Sequence, residues 1–296
     1  SLKPIELNKE MRKQLIFNFL DNDEFGKFVT TVLPNNIPRI YVEGFKSLLD
    51  KVKDSGLGNN KKTIITTIGI YKDEVFKAWV SQSVERGTKL IVGQHGGEYG
   101  SCLFSFPEEH EIKISDLYMT WGWKNNEQKT VPSPAPIFID WNKNWNKNGA
   151  IVIVGIELSR YNTQMHPNFI IGKRAEKYID ILQTLIQLIT TNSTHDLIVK
   201  LSPNDAERGN PIESRFQNKK HSSVKIIKNS QSLDSILQDS RLSIHLNDGT
   251  TFLEAIGNDQ PCLLLINSRL FPIREQAKPF YKKLEDVGII HESPDS

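Results

Sequence analysis

Residues 244–266 constrain the fold of this chain more than any other stretch. Ile244-His-Leu has strand character, Asn247-Asp-Gly-Thr-Thr251 is a tight polar turn, and the next residues read as a short helix. Pro261 then restarts the chain into Cys262-Leu-Leu-Leu-Ile266, an uninterrupted apolar run. A strand with no polar face is covered on both sides, the situation of a parallel sheet between two helix layers. The turn sets hydroxyls and unpaired backbone N–H groups at the start of a helix, where the dipole is positive and anions are attracted. Asp and Thr are also ordinary helix caps, so a plain cap is the alternative reading of the same residues.

The rest of the chain carries the same alternation. Residues 1–40 look helical, with Leu15, Phe19 and Phe25 among charged neighbours and with Pro34 and Pro38 as breaks. A helix over 41–52 ends near Gly56. Lys62–Ile70 reads as a buried strand, Asp73–Arg86 as a helix closed by Gly87, Lys89–Gly93 as a second strand and Leu117–Trp123 as a third. This spacing predicts a parallel βαβ unit with a right-handed crossover. Thr130-Val-Pro-Ser-Pro-Ala-Pro136, with three prolines in five residues, is the clearest linker signal. Beyond it, strands are predicted at 150–156, 197–201 and 224–227, and helices at 173–191, 212–218, 232–238 and 273–287. The expected architecture is α/β, with two Rossmann-like domains facing across a cleft. Residues 1–135 form an acceptor-side domain with a helical leader, and 136–296 form a donor-binding domain.

A chain of 296 residues has room for two such cores. Its net charge of +2, without a concentrated basic stripe, gives no reason to expect a nucleic-acid partner. The Asn/Lys tract 141–148 reads as a solvated loop anchored by two tryptophans. Cys102 and Cys262 lack metal-ligand spacing and point away from a disulfide framework, so a reducing cytoplasm is expected. No apolar run approaches the roughly 20 residues needed to cross a bilayer, and residues 2–10 do not resemble a signal peptide.

Two further motifs carry candidate chemistry. Gly93-Gln-His-Gly-Gly-Glu-Tyr-Gly100 sets one imidazole, one carboxylate and one phenol among four glycines, directly after a strand. Glycines let the backbone approach a ligand closely, and parallel sheets place ligands at the carboxyl ends of their strands. His95 is suited to take a proton from a hydroxyl, with Glu98 orienting it or acting itself. The alternative is a tight loop in which His95 bonds a neighbouring carbonyl. Gln94, Gly96, Gly97 and Tyr99 complete the loop as candidate acceptor contacts. In Glu109-His-Glu-Ile-Lys-Ile-Ser-Asp-Leu-Tyr-Met-Thr-Trp-Gly-Trp123, His110 and Glu111 are read as preceding a strand, with Asp116 at its start. Asp116 is taken as a further catalytic candidate, while Trp121 and Trp123 are read as packing before sugar stacking. Arg160 follows the 150–156 strand, and Lys200-Leu-Ser202 begins the loop 200–205, so all three are placed to meet a phosphate, with plain surface solvation the alternative for the two basic residues and the favoured one for Lys200. His245 is either a packed core histidine or a contact to a nucleotide base.

Together these motifs resemble a family of bacterial transferases for O-antigen and other surface carbohydrates, over most of residues 37–290. The carboxyl-terminal half is more distantly similar to 3-deoxy-manno-octulosonic acid transferases and polyol-phosphate polymerases. The resemblance implies a two-domain glycosyltransferase of the GT-B kind, at the cytoplasmic side of envelope-glycan assembly and in peripheral contact with the inner membrane. Its partners would be a nucleotide-sugar donor and a glycan or lipid-linked glycan acceptor, without a bound metal or cofactor. In that frame Thr250, Thr251 and Arg160 hold the donor's phosphate and Glu254 its ribose, with Asn247 and Gly249 as further donor contacts. Family members are longer at the N-terminus, so the first domain is incomplete if a segment precedes Ser1. Transfer of a polyol phosphate from a CDP-linked donor and a non-catalytic nucleotide-binding domain are the competing readings.

Overall fold

The computed structural model describes residues 5–15, 23–125, 128–138, 145–161, 172–202, 209, 212–215, 224–227 and 231–296. Parts of four expectations lie outside these residues: Phe19, 141–144 of the Asn/Lys tract, 203–205 of the loop after Lys200, and 216–218 of a predicted helix. The chain divides into two compact bodies, Ser1–Gly93 and Gln94–Ser296. Among the described residues no helix is long and apolar enough to cross a membrane.

The first body holds helices α1 (Lys9–Lys13), α2 (Glu24–Asn36) and α3 (Phe45–Asp54), strand β1 (Thr63–Thr66), helices α4 (Gly69–Lys72) and α5 (Glu74–Glu85), and strand β2 (Lys89–Gly93). Asp23 and Asp73 cap α2 and α5 by accepting from the backbone N–H groups of their first turns. Pro34 does not end α2. It lies in the last turn, and the helix stops at Ile37, which Pro38 holds in an extended conformation. β1 and β2 run parallel from Thr63 opposite Lys89 to Thr66 opposite Val92. The strand expected over 62–70 therefore ends at Thr66, and α4 follows. An ion pair buried in this body, Arg12–Glu43 at 2.7 Å, also delivers Arg12 N–H groups to the carbonyls of Pro34 and Ile37. Arg12 holds the Glu43 carboxyl down to about 2.

The second body begins with helix α6 (Phe106–Ile114) and strands β3 (Leu117–Trp121) and β4 (Thr130–Ser133), which pair in parallel. Both α6 and β4 differ from the sequence reading. Ser105 caps α6 through the Glu108 N–H, Pro107 occupies its first turn, and His110 and Glu111 therefore sit on a helix. The first half of the proline-rich linker is β4, which tolerates Pro132 as an edge strand does. Then follow β5 (Ala150–Val154), α7 (Lys173–Asn192), β6 (Leu197–Lys200), β7 (Val224–Ile227), α8 (Leu233–Gln238), β8 (Ser240–His245), α9 (Thr250–Gly257), β9 (Cys262–Leu265), α10 (Lys278–Asp286) and β10 (Ile290–His291). The last helix is shorter than the 273–287 expected, because Ile273 is spent on an antiparallel bridge to Cys102.

Strands β5 to β10 form one parallel sheet in the order β10-β9-β8-β5-β6-β7. The chain lays β6 and β7 on one side of β5, then crosses to lay β8, β9 and β10 on the other. This is the doubly wound order, and its crevice opens where the direction reverses, beyond the carboxyl ends of β5 and β8. The β5 sequence shows why both faces must be covered. Ile151 and Ile153 join a core with Tyr178, Ile179 and Leu182 of α7, while Val152 and Val154 face Ile236 and Leu237 of α8. At roughly 25 cal/mol per Å² of buried apolar surface, such side chains each contribute about 1.5–3 kcal/mol.

Candidate active site

The glycine loop after residue 93 is built from Gln94 outward, entirely within the second body. The Gln94 backbone N–H donates to the Met119 carbonyl at 2.9 Å. Its buried side chain accepts from the Trp121 backbone N–H (2.8 Å) and the Trp123 indole N–H (2.7 Å), and donates to the Gly96 carbonyl (2.7 Å). One amide thereby fastens the loop to the carboxyl end of β3. The Trp123 ring packs against Tyr118 and Gly100. The Trp123 ring lies so close over Gly100 that a Cβ there would meet it at 2.7 Å, and φ at Gly100 is +81°. Only glycine fits that position.

His95 is seated by this loop against α6. Its Nε2 lies 2.9 Å from Glu111 Oε1 and 3.0 Å from the Tyr99 hydroxyl, with its side chain 22% exposed. The Glu111 carboxylate is fully buried and also accepts from Tyr99 (3.2 Å) and Tyr118 (2.9 Å). A buried carboxylate facing Nε2 selects the tautomer with its proton on that nitrogen, which leaves the basic lone pair on Nδ1. Burial and the adjacent carboxylate push the Tyr118 phenol far above its ordinary range, so it stays a donor. Glu98, the partner expected from the sequence, is half-buried in the same loop, and its carboxyl is pushed up by burial and by Asp248.

The turn after β8 meets this loop directly. The Gly97 N–H donates to Thr250 Oγ1 at 3.1 Å, and a Cβ on Gly97 would lie 2.4 Å from the Gly249 carbonyl carbon and the Thr250 nitrogen. Asp248 is buried and accepts from Ser101 (2.7 Å) and from the Tyr281 hydroxyl of α10. Arg274 donates to the Cys102 carbonyl (2.7 Å), pairs with Glu108 of α6 (2.9 Å) and lies over the Trp123 ring. Glu108 in turn accepts from the Gly100 N–H at 2.7 Å. Residues from α6, the β8 turn and α10 thus hold a single loop in place.

The structure brings together His95, Glu98, Gln94, Gly96, Gly97, Tyr99, Asn247, Gly249, Thr250 and Thr251. Asn247 lies half-buried beside Gly249 in the turn. Asp116 is exposed at the opposite end of β3, roughly 15 Å from Gln94 at about 3.3 Å per strand residue. Arg160, Lys200 and Ser202 are not part of this cluster: Arg160 follows β5, Lys200 ends β6 and Ser202 follows it. Arg160 is exposed over the Tyr161 ring; Lys200 is buried, donates to the Leu201 carbonyl, and is shifted down by burial; Ser202 donates to Glu157 at 3.4 Å. Glu254, on α9, is pushed up to about 7 by burial and then by Asp234.

His245 is fully buried, 3.0 Å from Ser243 Oγ and 3.4 Å from Thr251 Oγ1, with its ring edge against Phe252. Burial pushes its imidazole down to about 3. In the unfolded chain it would titrate near its ordinary 6.5, so below that pH the unfolded state binds a proton that the native state refuses. This contribution to stability is intact above pH 6.5 and is lost as pH falls toward 3, at up to about 1.4 kcal/mol per pH unit. Urea titrations at pH 7.5 and 5 should show a smaller pH difference for His245→Asn than for the parent. Equal differences would exclude the imidazole as the cause.

Sequence reasoning missed Tyr118, Glu108 and Arg274, and set Glu111 before a strand without giving it a role. The signal for the two glutamates was present: Ser105-Phe-Pro-Glu108 is a helix start, and from it Glu108, Glu111 and Ile112 fall on one helix face.

A family model described as LIC12162 family transferase matches residues 1–296. No curated protein matches the chain. Among solved structures, MurG from Acinetobacter baumannii is similar at 11% identity and a TM-score of 0.47, covering 84% of this chain and 65% of that one. A UDP-GlcNAc 2-epimerase from Methanocaldococcus jannaschii is similar at 11% identity and 0.46, covering 84% and 70%. The spinosyn rhamnosyltransferase SpnG complexed with spinosyn aglycone is similar at 10% identity and 0.42, covering 83% and 64%. The chain thus spans just under two thirds of the MurG chain.

Proposed function

We propose that this chain, which belongs to the LIC12162 family of transferases, moves a sugar from a nucleotide-linked donor to a hydroxyl of a surface-glycan acceptor. The observation that carries this reading is the His95–Glu111 pair in a glycine loop set against the turn after β8. In the reaction, His95 Nδ1 takes the acceptor's hydroxyl proton as that oxygen bonds to the anomeric carbon. The bond from that carbon to the donor's phosphate oxygen breaks, and the nucleotide leaves with the electron pair. Glu111 stabilises the imidazolium formed. Glu98, a carboxyl already shifted upward, adds a second proton-handling group beside the imidazole.

The acceptor is a glycan, free or lipid-linked, used at the cytoplasmic face of the membrane. Residues 1–135 serve the acceptor and 136–296 the donor. Neither a metal nor a cofactor is part of the reaction.

The test is incubation with UDP-, GDP-, CDP- and CMP-linked sugars, a CDP-linked polyol and an envelope-glycan acceptor. Nucleotide release is followed by chromatography and the product by phosphorus NMR. Glycosyl transfer gives a product without new phosphorus. A phosphodiester in the product would replace this reading with polyol-phosphate transfer, and no release from any donor would remove catalysis altogether.

A further inference from the structure

A cleft of about 420 Å³ opens beyond β5 and β6, within the volume range of small-molecule sites. Its walls include Ser159, Arg160, Arg215 and the first turn of α7 from Gly172 to Glu176. α7 is 20 residues long, and its N-cap is Gly172, which has no side chain with which to cap the helix. The first N–H groups of a long helix thus border the cleft, with the positive end of its dipole. Ser159 supplies a second, independent sign. It is 7% exposed, and its hydroxyl is buried without a hydrogen-bond partner. Buried hydroxyls are nearly always paired, and a ligand oxygen in the cleft is the partner this one lacks.

The charges agree. Arg160 is exposed and held over the Tyr161 ring. Arg215 is paired at 2.8 Å with Glu176, the one carboxylate among the described residues of the wall, and both side chains are substantially solvent-exposed. An exposed pair of this kind is weak, so a doubly charged ligand can draw Arg215 away from Glu176. The other helix start beside the switch point is covered, because the Gly97 backbone lies against Gly249 and Thr250 and its N–H holds the Thr250 hydroxyl.

We infer that this cleft binds the diphosphate group of the donor, with Arg160, Arg215, Ser159 and the first N–H groups of α7 as its contacts. The inference rests on the proposed nucleotide-linked donor and moves its phosphate from the start of α9 to the start of α7. Calorimetry on the full chain with UDP, GDP, CDP and inorganic pyrophosphate tests it. The variants are Arg160→Gln with Arg215→Gln, and Thr250→Val with Thr251→Val, each checked by melting temperature. The arginine pair should weaken nucleoside diphosphate binding by roughly 10–100-fold, the scale of lost charge-assisted bonds, while the threonine pair leaves it unchanged. Arginine-dependent binding of pyrophosphate alone would support the diphosphate site and remove the nucleotide donor. Nucleotide binding that depends on the threonines and not the arginines would overturn the inference and leave the proposed reaction standing. Binding indifferent to both pairs would overturn it equally, and no binding of any probe would overturn both.

Discussion

Replacing His95 with Ala is expected to lower turnover by roughly 10²–10⁴-fold, the range for a positioned proton acceptor, with little change in melting temperature. The ring is partly exposed, and its deletion leaves Tyr99 and Tyr118 still donating to Glu111. Glu111→Gln is the sharper test. An amide keeps the shape of the carboxylate, but its NH₂ can donate to Nε2 and draw the imidazole proton to Nδ1, which removes the basic lone pair from that nitrogen. Its turnover should fall by a similar factor, and its pH–rate profile should change. If turnover per folded molecule survives both substitutions, the pair only holds the loop in shape.

Gly97→Ala should be the most damaging conservative change in the loop. The new methyl would lie 2.4 Å from backbone atoms of Gly249 and Thr250, where no flexible side chain can yield. Forcing the loop from the turn costs about 1–3 kcal/mol by the usual measure of overpacking, a loss of several degrees in melting temperature. Turnover should fall further than stability, because His95 is two residues away and moves with the backbone. A variant with parental melting temperature and full activity would mean that the two segments do not touch in solution.

How far the sequence disclosed this molecule depended on what each element buries. β2 and β7 were legible to the residue, and β5, α5 and α7 nearly so, because apolar strands and amphipathic helices state their environment plainly. α6 was hidden because its inner face carries Glu108 and Glu111 where a periodic pattern needs apolar residues. β4 was hidden by its prolines, which an edge strand accepts and a reader takes for a linker. The same blindness fell on the site. His95 and its loop stood out, but the nearest carboxylate in sequence, Glu98, is not the one that meets Nε2. The fold brings Glu111 there from 16 residues further on, across a helix start that was not recognised.

Asp248 joins Ser101 to Tyr281, and Arg274 joins Cys102 and Glu108 to the chain's last quarter, over separations of 147, 172 and 166 residues. Contacts so distant in sequence form late, because loop closure must precede any return from them. During synthesis the loop carrying His95 leaves the ribosome long before the residues that fix it. A nascent chain halted before residue 274 would seat the imidazole on Glu111 but lack the Arg274 contacts to Cys102 and Glu108, so the loop is fully tied down only when that segment docks.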